Sequence, residues 1–271
     1  MKRIASGING MSRAHISAHA LLAALVACWL VPPCLAQKKQ IHVAAASDLR
    51  SAMPEIVRAF AAQSGASVDV VYGSSGNFFA QIQNGAPLDV LFSADREYPR
   101  KLEESGFAEP QSALVYGIGS IVLWMPAGAG CNPEMDGWKC LQHPSVKAIA
   151  IANPEHAPYG RAALAALKRA GIYGEVKAKL VFGENISQAA QFVQSGNAQA
   201  GILAYSLARS PALRGGKQWE IPKELYPPIE QTVIVLKSAK EKSVAQEFVK
   251  FVTRGPGSAV LAKFGFQPPE Q

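Results

Sequence analysis

The chain has 271 residues and a formal net charge of +7, and no run of Lys or Arg stands out within it. This spread of charge gives little support to a nucleic-acid-binding function. Beyond the N-terminal segment, no apolar run approaches the ~20 residues that a transmembrane helix needs, so we expect a soluble protein.

The first 36 residues predict a signal peptide for export. A basic segment without acidic residues, which contains Lys2 and Arg3, precedes an apolar stretch over 21–30 that is too short to span a membrane. Cys34-Leu35-Ala36 supplies small residues before a cleavage site, so we expect the mature chain to begin near Gln37. Its formal charge would be +4, and its 235 residues suit one large domain or two lobes.

Two alternatives concern this segment. The true start is either Met1 or Met11. Acylation of Cys34 would make the protein a lipoprotein, but Val31-Pro32-Pro33 is a poor lipobox. We therefore favour a cleaved signal peptide and a periplasmic location.

Cys131 and Cys140 remain in the mature chain. An even number of cysteines in an exported protein favours a disulfide. The chain-entropy model gives the closure of this short loop a value of ~2–3 kcal/mol. A metal site would require more ligands than this segment offers.

Strand–helix units follow in chain order. The short apolar segments 41–46, 67–72 and 88–92 predict buried strands, and each precedes a segment with helical features. Pro54 fits only the first turn of a helix, so that helix begins close to Ser47–Arg50. This alternation favours βαβ units and a parallel sheet.

The pattern then restarts. Strands are expected at 118–124, 148–152, 180–182, 200–205 and 232–236, and helices at 160–170, 186–194 and 243–253. Asn185 and Gln188 resemble a capping box at one helix start. Residues 209–228, rich in Pro, Gly and Lys, predict a surface loop. The whole pattern favours an α/β fold of two lobes, with a ligand at the carboxyl ends of the strands.

Small polar donors occupy three turns between a strand and a helix. These turns are Ala45-Ala46-Ser47-Asp48, Gly73-Ser74-Ser75-Gly76 and the segment 153–160. A helix N-terminus carries unpaired N–H groups and about half a positive charge, so it attracts anions. Because almost no Lys or Arg accompanies these turns, we expect a site that holds an oxyanion by hydrogen bonds alone.

Six strings of the chain carry a family resemblance. They are Ala44-Ala45-Ala46-Ser47, Gly73-Ser74-Ser75-Gly76, Gly85-Ala86-Pro87-Leu88-Asp89-Val90, Phe92-Ser93-Ala94-Asp95, Asn153-Pro154-Glu155-His156-Ala157-Pro158-Tyr159-Gly160 and Lys263-Phe264-Gly265-Phe266. In this order and spacing they resemble the periplasmic molybdate-binding proteins of ABC importers, from about Ile41 to Pro268. The resemblance implies a class II periplasmic-binding-protein fold, with two α/β lobes of mixed or parallel sheets flanked by helices.

The resemblance also implies how the chain is divided and what it does. Lobe one would comprise 37–118 and 230–271, and lobe two 119–229, with a ligand cleft between them. The protein would be a monomer that captures molybdate or tungstate and passes it to a membrane permease driven by an ATPase. It would have no cofactor and no catalytic residue, and it would bind the oxygens of the anion without direct metal ligands.

Carried over residue by residue, the ligand contacts fall on five positions. Lobe one would supply the amide of Ala46 and the hydroxyl and amide groups of Ser47 and Ser75. Lobe two would supply the amides of Tyr159 and Ile186.

Three neighbouring residues are not assigned to the ligand. Many family members have a donor tyrosine where this chain has Ala204, and strand alternation would turn Tyr205 to the other face. A smaller branch of the family lacks that tyrosine too. Arg161 is expected to be solvated, and Asp48 is expected to point away from a dianion towards its helix N-terminus.

Three other functions are alternatives to this interpretation. A receptor for sulfate or another small oxyanion would use similar donors. A secreted hydrolase would use Ser47 or Ser75, but residues 73–76 lack the Gly-x-Ser-x-Gly spacing, and no Cys–His or paired-carboxylate set stands out. A ferric-binding protein would need clustered tyrosines and carboxylates, which the cleft turns lack. We therefore expect a binding protein and not an enzyme.

Overall fold

Two five-stranded mixed sheets form the framework of the protein in a computed structural model, which describes residues 39–269. The strands are β1 (Gln40–Ala46), β2 (Ser67–Gly73), β3 (Val90–Ser93), β4 (Leu114–Gly119), β5 (Ile121–Met125), β6 (Ile149–Ala152), β7 (Leu180–Gly183), β8 (Ala200–Ala204), β9 (Lys217–Glu220) and β10 (Ile229–Val235). The expected signal peptide, 1–36, lies outside the described residues.

Helices flank both sheets. The α-helices are α1 (Met53–Ser64), α2 (Ser75–Gln83), α3 (Glu97–Glu104), α4 (Pro133–Asp136), α5 (Lys139–Gln142), α6 (Pro158–Arg169), α7 (Tyr173–Val176), α8 (Ile186–Gln194), α9 (Tyr205–Ala208), α10 (Lys242–Arg254) and α11 (Pro256–Lys263). Short 3-10 helices cover Ser47–Ser51, Lys177–Lys179 and Lys223–Leu225. Within residues 39–269, none of the helices combines the length and apolarity needed to cross a bilayer.

The first sheet has the order β2-β1-β3-β10-β4. β1 pairs in parallel with β2 and β3, and the connections to these strands run through α1 and α2, because parallel neighbours require a crossover. β10 is antiparallel to both β3 and β4. The carboxyl ends of the three parallel strands, at Ala46, Gly73 and Ser93, therefore meet at one edge.

The second sheet repeats this plan in the order β7-β6-β8-β5-β9. β6 is parallel to β7 and β8, and β5 is antiparallel to β8 and β9. The parallel strands end at Ala152, Gly183 and Ala204, where α6, α8 and α9 follow. Each sheet thus presents one edge at which several helices begin.

The chain passes between the sheets at two places. β4 ends at Gly119 and β5 begins at Ile121, so Ser120 is the link on the outward passage. On the return, Ile229 pairs with Gly119 at the start of β10. The expected two-lobed α/β fold is confirmed, and the two passages lie side by side.

Each lobe has its own apolar core. In the first sheet, Val43 and Phe92 pack on one face, whereas the adjacent Ala44 and Leu91 pack on the other. Burial on both faces explains why these strands are continuously apolar in sequence. The second lobe has a single core that includes the fully buried segment 149–152.

Two expected elements differ from the structure. The segment 118–124 was expected to be one strand, but the chain leaves one sheet and enters the other at Ser120, so it belongs to β4 and β5. The expected loop at 209–228 contains β9, which pairs with β5 and half-buries Trp219. Edge strands with few apolar residues give a weak alternation signal, which explains why β9 was missed.

The structure also contains the expected disulfide. Cys131 precedes α4 and Cys140 lies in α5, and their sulfur atoms are bonded. The bond joins two short helices of four residues each, which have little intrinsic stability.

Candidate functional site

A small cavity lies where the two strand edges meet. Its free volume is only about 10 Å³, close to what a single water molecule needs. Pockets that hold drug-sized ligands measure roughly 300–1,000 Å³, so this cavity suits a much smaller ligand. Its lining comes from both lobes and consists of Ala46, Ser47, Asp48, Gly73, Ser74, Ser75, Ala94, Ala157, Pro158, Tyr159, Asn185 and Ile186.

Local sequence explains why helices begin at this cavity. The Ser74 hydroxyl accepts from the amide of Asn77 (3.4 Å) and caps α2. The Asn185 side chain accepts from the amide of Gln188 (3.1 Å) and caps α8, as expected from the capping-box pattern. Pro158 is the first residue of α6, where its missing N–H costs no helical bond.

Several helix amides at the cavity are available to a ligand. Ser75 and Ile186 are the first residues of their helices and Tyr159 is the second of its own, so none has an intrahelical acceptor. None of the three amides donates to another acceptor within residues 39–269. No Lys or Arg of this part of the chain lines the cavity. Its positive potential therefore comes from helix N-termini.

The Ser75 hydroxyl has an uncommitted hydrogen. The side chain is fully buried, and its oxygen accepts from the amide of Ala94 (2.9 Å). A hydroxyl group also donates one hydrogen, and the described residues offer it no acceptor here. Ser75 is thus oriented as a hydrogen-bond donor to the cavity that it lines.

Ser47 joins the two lobes. Its hydroxyl donates to Oδ1 of Asn185 (3.1 Å) and accepts from the amide of Ser187 (3.2 Å). The Ser187 hydroxyl in turn donates to the backbone oxygen of Ser47 (2.9 Å). Lobe one is therefore bonded directly to the N-terminus of α8, and the lobes are in contact across the cleft.

Asp48 is part of a buried chain of polar groups. The Tyr159 hydroxyl donates to Oδ2 of Asp48 (3.0 Å) and accepts from the Gln231 amide (3.0 Å), whose oxygen accepts from the Tyr116 hydroxyl (2.9 Å). Burial raises the pKa of Asp48 to about 7, although these partners and the nearby backbone amides of Asp48 and Leu49 stabilise its charged form. Asp48 was expected to point away from the anion towards its helix N-terminus; its carboxyl lies near the backbone amides of Asp48 and Leu49, but it also lies between the lobes, in a residue that lines the cavity.

Glycine permits the close approach of the lobes. The amide of Gly76 in α2 donates to the backbone oxygen of His156 (2.9 Å). A Cβ atom at position 76 would lie 2.8 Å from the Cβ and backbone oxygen of His156, closer than such atoms approach in proteins. Any larger residue at this position would separate the two helix starts.

Charged side chains bridge the lobes outside the cavity. Arg161 in α6 pairs with Asp95 and also contacts the Tyr98 hydroxyl (3.4 Å). Asn77 donates to the carboxylate of Glu184. Arg161 was expected to be solvated, but about two thirds of its side chain is covered by this contact.

All five residues that the sequence singled out line one cavity: Ala46, Ser47, Ser75, Tyr159 and Ile186. Tyr205 and Arg161 do not line it, and Tyr205 begins α9, where its hydroxyl accepts from Arg209 (2.9 Å).

Sequence reasoning missed the contacts that Asn185, Asp48 and Gln231 make across the cleft. The sequence does carry one indication of these contacts. Gln231 is a polar residue in the largely apolar strand β10, and its side chain is fully buried in the structure.

Comparisons with known proteins agree over nearly the whole described chain. The family model of bacterial extracellular solute-binding proteins matches residues 41–267. The molybdate-binding protein ModA of Azotobacter vinelandii is 36% identical over 234 residues, which cover 86% of this chain and 92% of that relative. ModA of Rhodobacter capsulatus is 34% identical over 227 residues, which cover 84% of this chain and 88% of that relative.

Solved structures show the same architecture. The periplasmic molybdate-binding protein of Azotobacter vinelandii matches with a TM-score of 0.79 at 34% identity, covering 85% of this chain and 100% of that chain. The sulfate-binding protein SubI of Mycobacterium tuberculosis matches with a TM-score of 0.69 at 17% identity, covering 86% of this chain and 88% of that chain. The second likeness concerns the fold alone.

Proposed function

This chain belongs to the family of bacterial extracellular solute-binding proteins, and we propose that it captures molybdate, or tungstate, for an ABC importer. Its fold is the two-lobed class II periplasmic-binding-protein fold. The observation that carries the proposal is the small cavity at which unpaired amides of three helices meet without Lys or Arg. Similarity to molybdate-binding relatives supports the choice of anion.

We assign the anion contacts to neutral donors from both lobes. In lobe one they are the amides of Ala46, Ser47 and Ser75 and the two serine hydroxyls. In lobe two they are the amides of Tyr159 and Ile186. The Ser75 hydrogen is already free, whereas the Ser47 hydroxyl would rotate from Asn185 towards an oxygen of the anion.

Neutral donors also select the protonation state of the ligand. Each N–H or O–H group requires an oxygen that carries a lone pair and no hydrogen. A protonated phosphate would place its own hydrogen against a donor, which is unfavourable in a buried site. The size of the cavity would then separate molybdate from the smaller sulfate.

We propose that binding of the anion and closure of the two lobes are coupled. Each lobe holds part of the donor set, so an anion contacts all of its donors only when the lobes meet. We place lobe one at 37–118 and 230–271 and lobe two at 119–229. A signal peptide over 1–36, a periplasmic location, a monomeric state and delivery to a permease and ATPase complete the proposal.

The environment of the two serines does not support a hydrolase. Ser75 contacts the amide of Ala94, and Ser47 contacts Asn185 and Ser187. Within residues 39–269, neither hydroxyl is bonded to a His, Asp or Glu that would accept its proton, as nucleophilic catalysis by serine requires. We accordingly assign no catalytic residue and no cofactor.

Calorimetric titration of the mature protein with molybdate, tungstate, sulfate and phosphate tests this function. We expect tight binding of molybdate and tungstate, and binding of sulfate and phosphate that is weaker by orders of magnitude. Tight binding of sulfate would identify a sulfate receptor, and heat from none of the four anions would exclude this class of ligand.

A further inference from the structure

Asp48 is a carboxyl group at a site proposed to receive a dianion. It lines the cavity and is fully buried. Its Oδ2 accepts from the Tyr159 hydroxyl, while its Oδ1 has no hydrogen-bond partner among the described residues. An ionised carboxylate in this position would repel the ligand, and no Lys or Arg of the described chain lines the cavity to offset the repulsion.

A neutral carboxylic acid would remove this conflict. A protonated carboxyl group has one O–H donor and keeps its acceptor capacity. With the hydrogen on Oδ1, Asp48 would accept from Tyr159 through Oδ2, and its unpaired buried Oδ1 would become a donor in a residue that lines the cavity. It would then resemble the amides and hydroxyls that line the rest of the cavity.

We propose that Asp48 holds the oxyanion as a neutral carboxylic acid, so that closure of the cleft on a dianion takes up one proton from solvent. The proton moves from water or buffer to Oδ1 as the lobes close, and it returns when they open. This inference rests on the proposed function, because it requires a dianionic ligand in the cavity.

Uncharged groups surround Asp48 in the described part of the chain; their hydrogen bonds favour its ionised form, but burial outweighs them. Tyr159 faces it from α6, and the Gln231 side chain lies beside that contact from β10. Tyr116 reaches Gln231 from β4, and the Ser206 hydroxyl of α9 binds the backbone oxygen of Asp48 (2.8 Å). All of these groups are uncharged near neutral pH, because burial also raises the pKa values of both tyrosines well above their ordinary value.

The nearest cation on the same element does not change this balance. Arg50 lies over the ring of Tyr72 at 4.9 Å, and it is not among the groups that shift the pKa of Asp48. The dominant influence on that pKa is burial, which raises it to about 7 in the protein without ligand. A dianion in the same cavity would raise it further.

The sign of the pH dependence follows from linkage. Opening of the cleft would expose Asp48 to water and bring its pKa back towards the ordinary value of 3.8. In the closed, liganded form its pKa is higher, so the bound state carries more protons than the free state. Between these two pKa values the apparent affinity falls as the pH rises, by about tenfold per pH unit.

Proton uptake can be measured directly by titrating the protein with molybdate in two buffers that differ in ionisation enthalpy. Near pH 6, about one unit below the pKa of Asp48 in the closed protein and about two units above its ordinary value, we expect uptake approaching one proton for each anion bound by the native protein. The Asp48→Asn variant retains shape and an N–H donor but does not titrate. We expect it to take up no proton and to bind with an affinity that is nearly independent of pH.

Asp95→Asn is the matched control. Asp95 is another largely buried aspartate whose pKa burial raises, but it pairs with Arg161 outside the cavity. We expect this variant to keep the proton uptake of the native protein.

Three outcomes distinguish a failure of the role proposed for Asp48 from a failure of the proposed function. Molybdate binding by the native protein with no proton uptake would overturn the role of Asp48 and leave the proposed function intact. Equal proton uptake by the native protein and Asp48→Asn would also overturn that role. No molybdate binding at any pH would overturn the proposed function itself. Because the native protein alone gives the first result, the test does not depend on the folding of a variant.

Discussion

Ser47 and Ser75 occupy similar turns in the sequence but have different hydrogen-bond partners. The Ser75 oxygen is fixed by the amide of Ala94, and its hydrogen remains available. The Ser47 hydroxyl is shared between Asn185 and the amide of Ser187, both in the other lobe. Removal of the Ser75 hydroxyl therefore affects the ligand and leaves the Ala94 amide of the same lobe without its acceptor, whereas removal of the Ser47 hydroxyl affects the ligand and the contact between the lobes.

We predict that Ser75→Ala weakens molybdate binding by roughly ten- to a hundredfold, since a hydrogen bond to a charged group in a dry site is worth ~1.5–3 kcal/mol. Ser47→Ala should cost at least as much, because the bond from the Ser187 amide of the other lobe is lost as well. Calorimetric titration measures both effects.

Arg161→Ala is the comparison for these variants. Its partner Asp95 lies outside the cavity and the guanidinium is about one third exposed, so the loss should be worth no more than ~1 kcal/mol. Loss of binding in Arg161→Ala together with normal binding in both serine variants would show that the site is an arginine clamp.

At the scale of elements, the starts of helices were the most predictable feature. Ser74 and Asn185 cap α2 and α8 as their sequences indicate, because capping depends on residues within one turn. The passage near Ser120 was predicted from the family resemblance, which starts lobe two at 119, and not from the local pattern, because the strands on either side of it are both apolar. The orientation of Asp48 was also beyond local reasoning, since its partner Tyr159 is 111 residues away.

The disulfide is expected to stabilise the fold without contacting the anion cavity. None of the described residues between Cys131 and Cys140 lines the cavity. We predict that replacing both cysteines with serine lowers the melting temperature by roughly 5–10 °C, from a loss of ~2–3 kcal/mol. Molybdate affinity at a temperature well below the transition should stay within about twofold of the native value.

Differential scanning calorimetry and titration calorimetry on the same preparation check this pair of expectations. A large loss of affinity in a variant with an unchanged melting temperature would place the disulfide loop in the binding site.

At the scale of the whole molecule, the contacts between the lobes describe a closed state. Gly76 meets His156 through the backbone, Ser47 meets Asn185, and Tyr159 meets Asp48. These contacts hold the lobes together beside the cavity, and we expect the lobes to separate when a ligand enters or leaves. The passages between the lobes at Ser120 and at the start of β10 are the natural positions for a hinge.

We predict that molybdate decreases the radius of gyration of the native protein in small-angle X-ray scattering, since the ligand favours the closed state. Gly76→Ala is the control, because its methyl group would collide with His156 while remaining compatible with the helix. That variant should compact less at saturating molybdate. Identical scattering with and without ligand in the native protein would contradict a clamshell mechanism.

The position of β10 has a consequence for the order in which the molecule is assembled. β10 (Ile229–Val235) lies between β3 and β4 in the sheet. Along the chain, however, more than a hundred residues separate β10 from each of these two strands. During synthesis from the N-terminus, all five strands of the second sheet are therefore available before the first sheet can be completed. Gln231 arrives with the same strand and supplies the link between Tyr116 and Tyr159. The sheet that begins the chain thus cannot be completed until every strand of the second sheet has been synthesised.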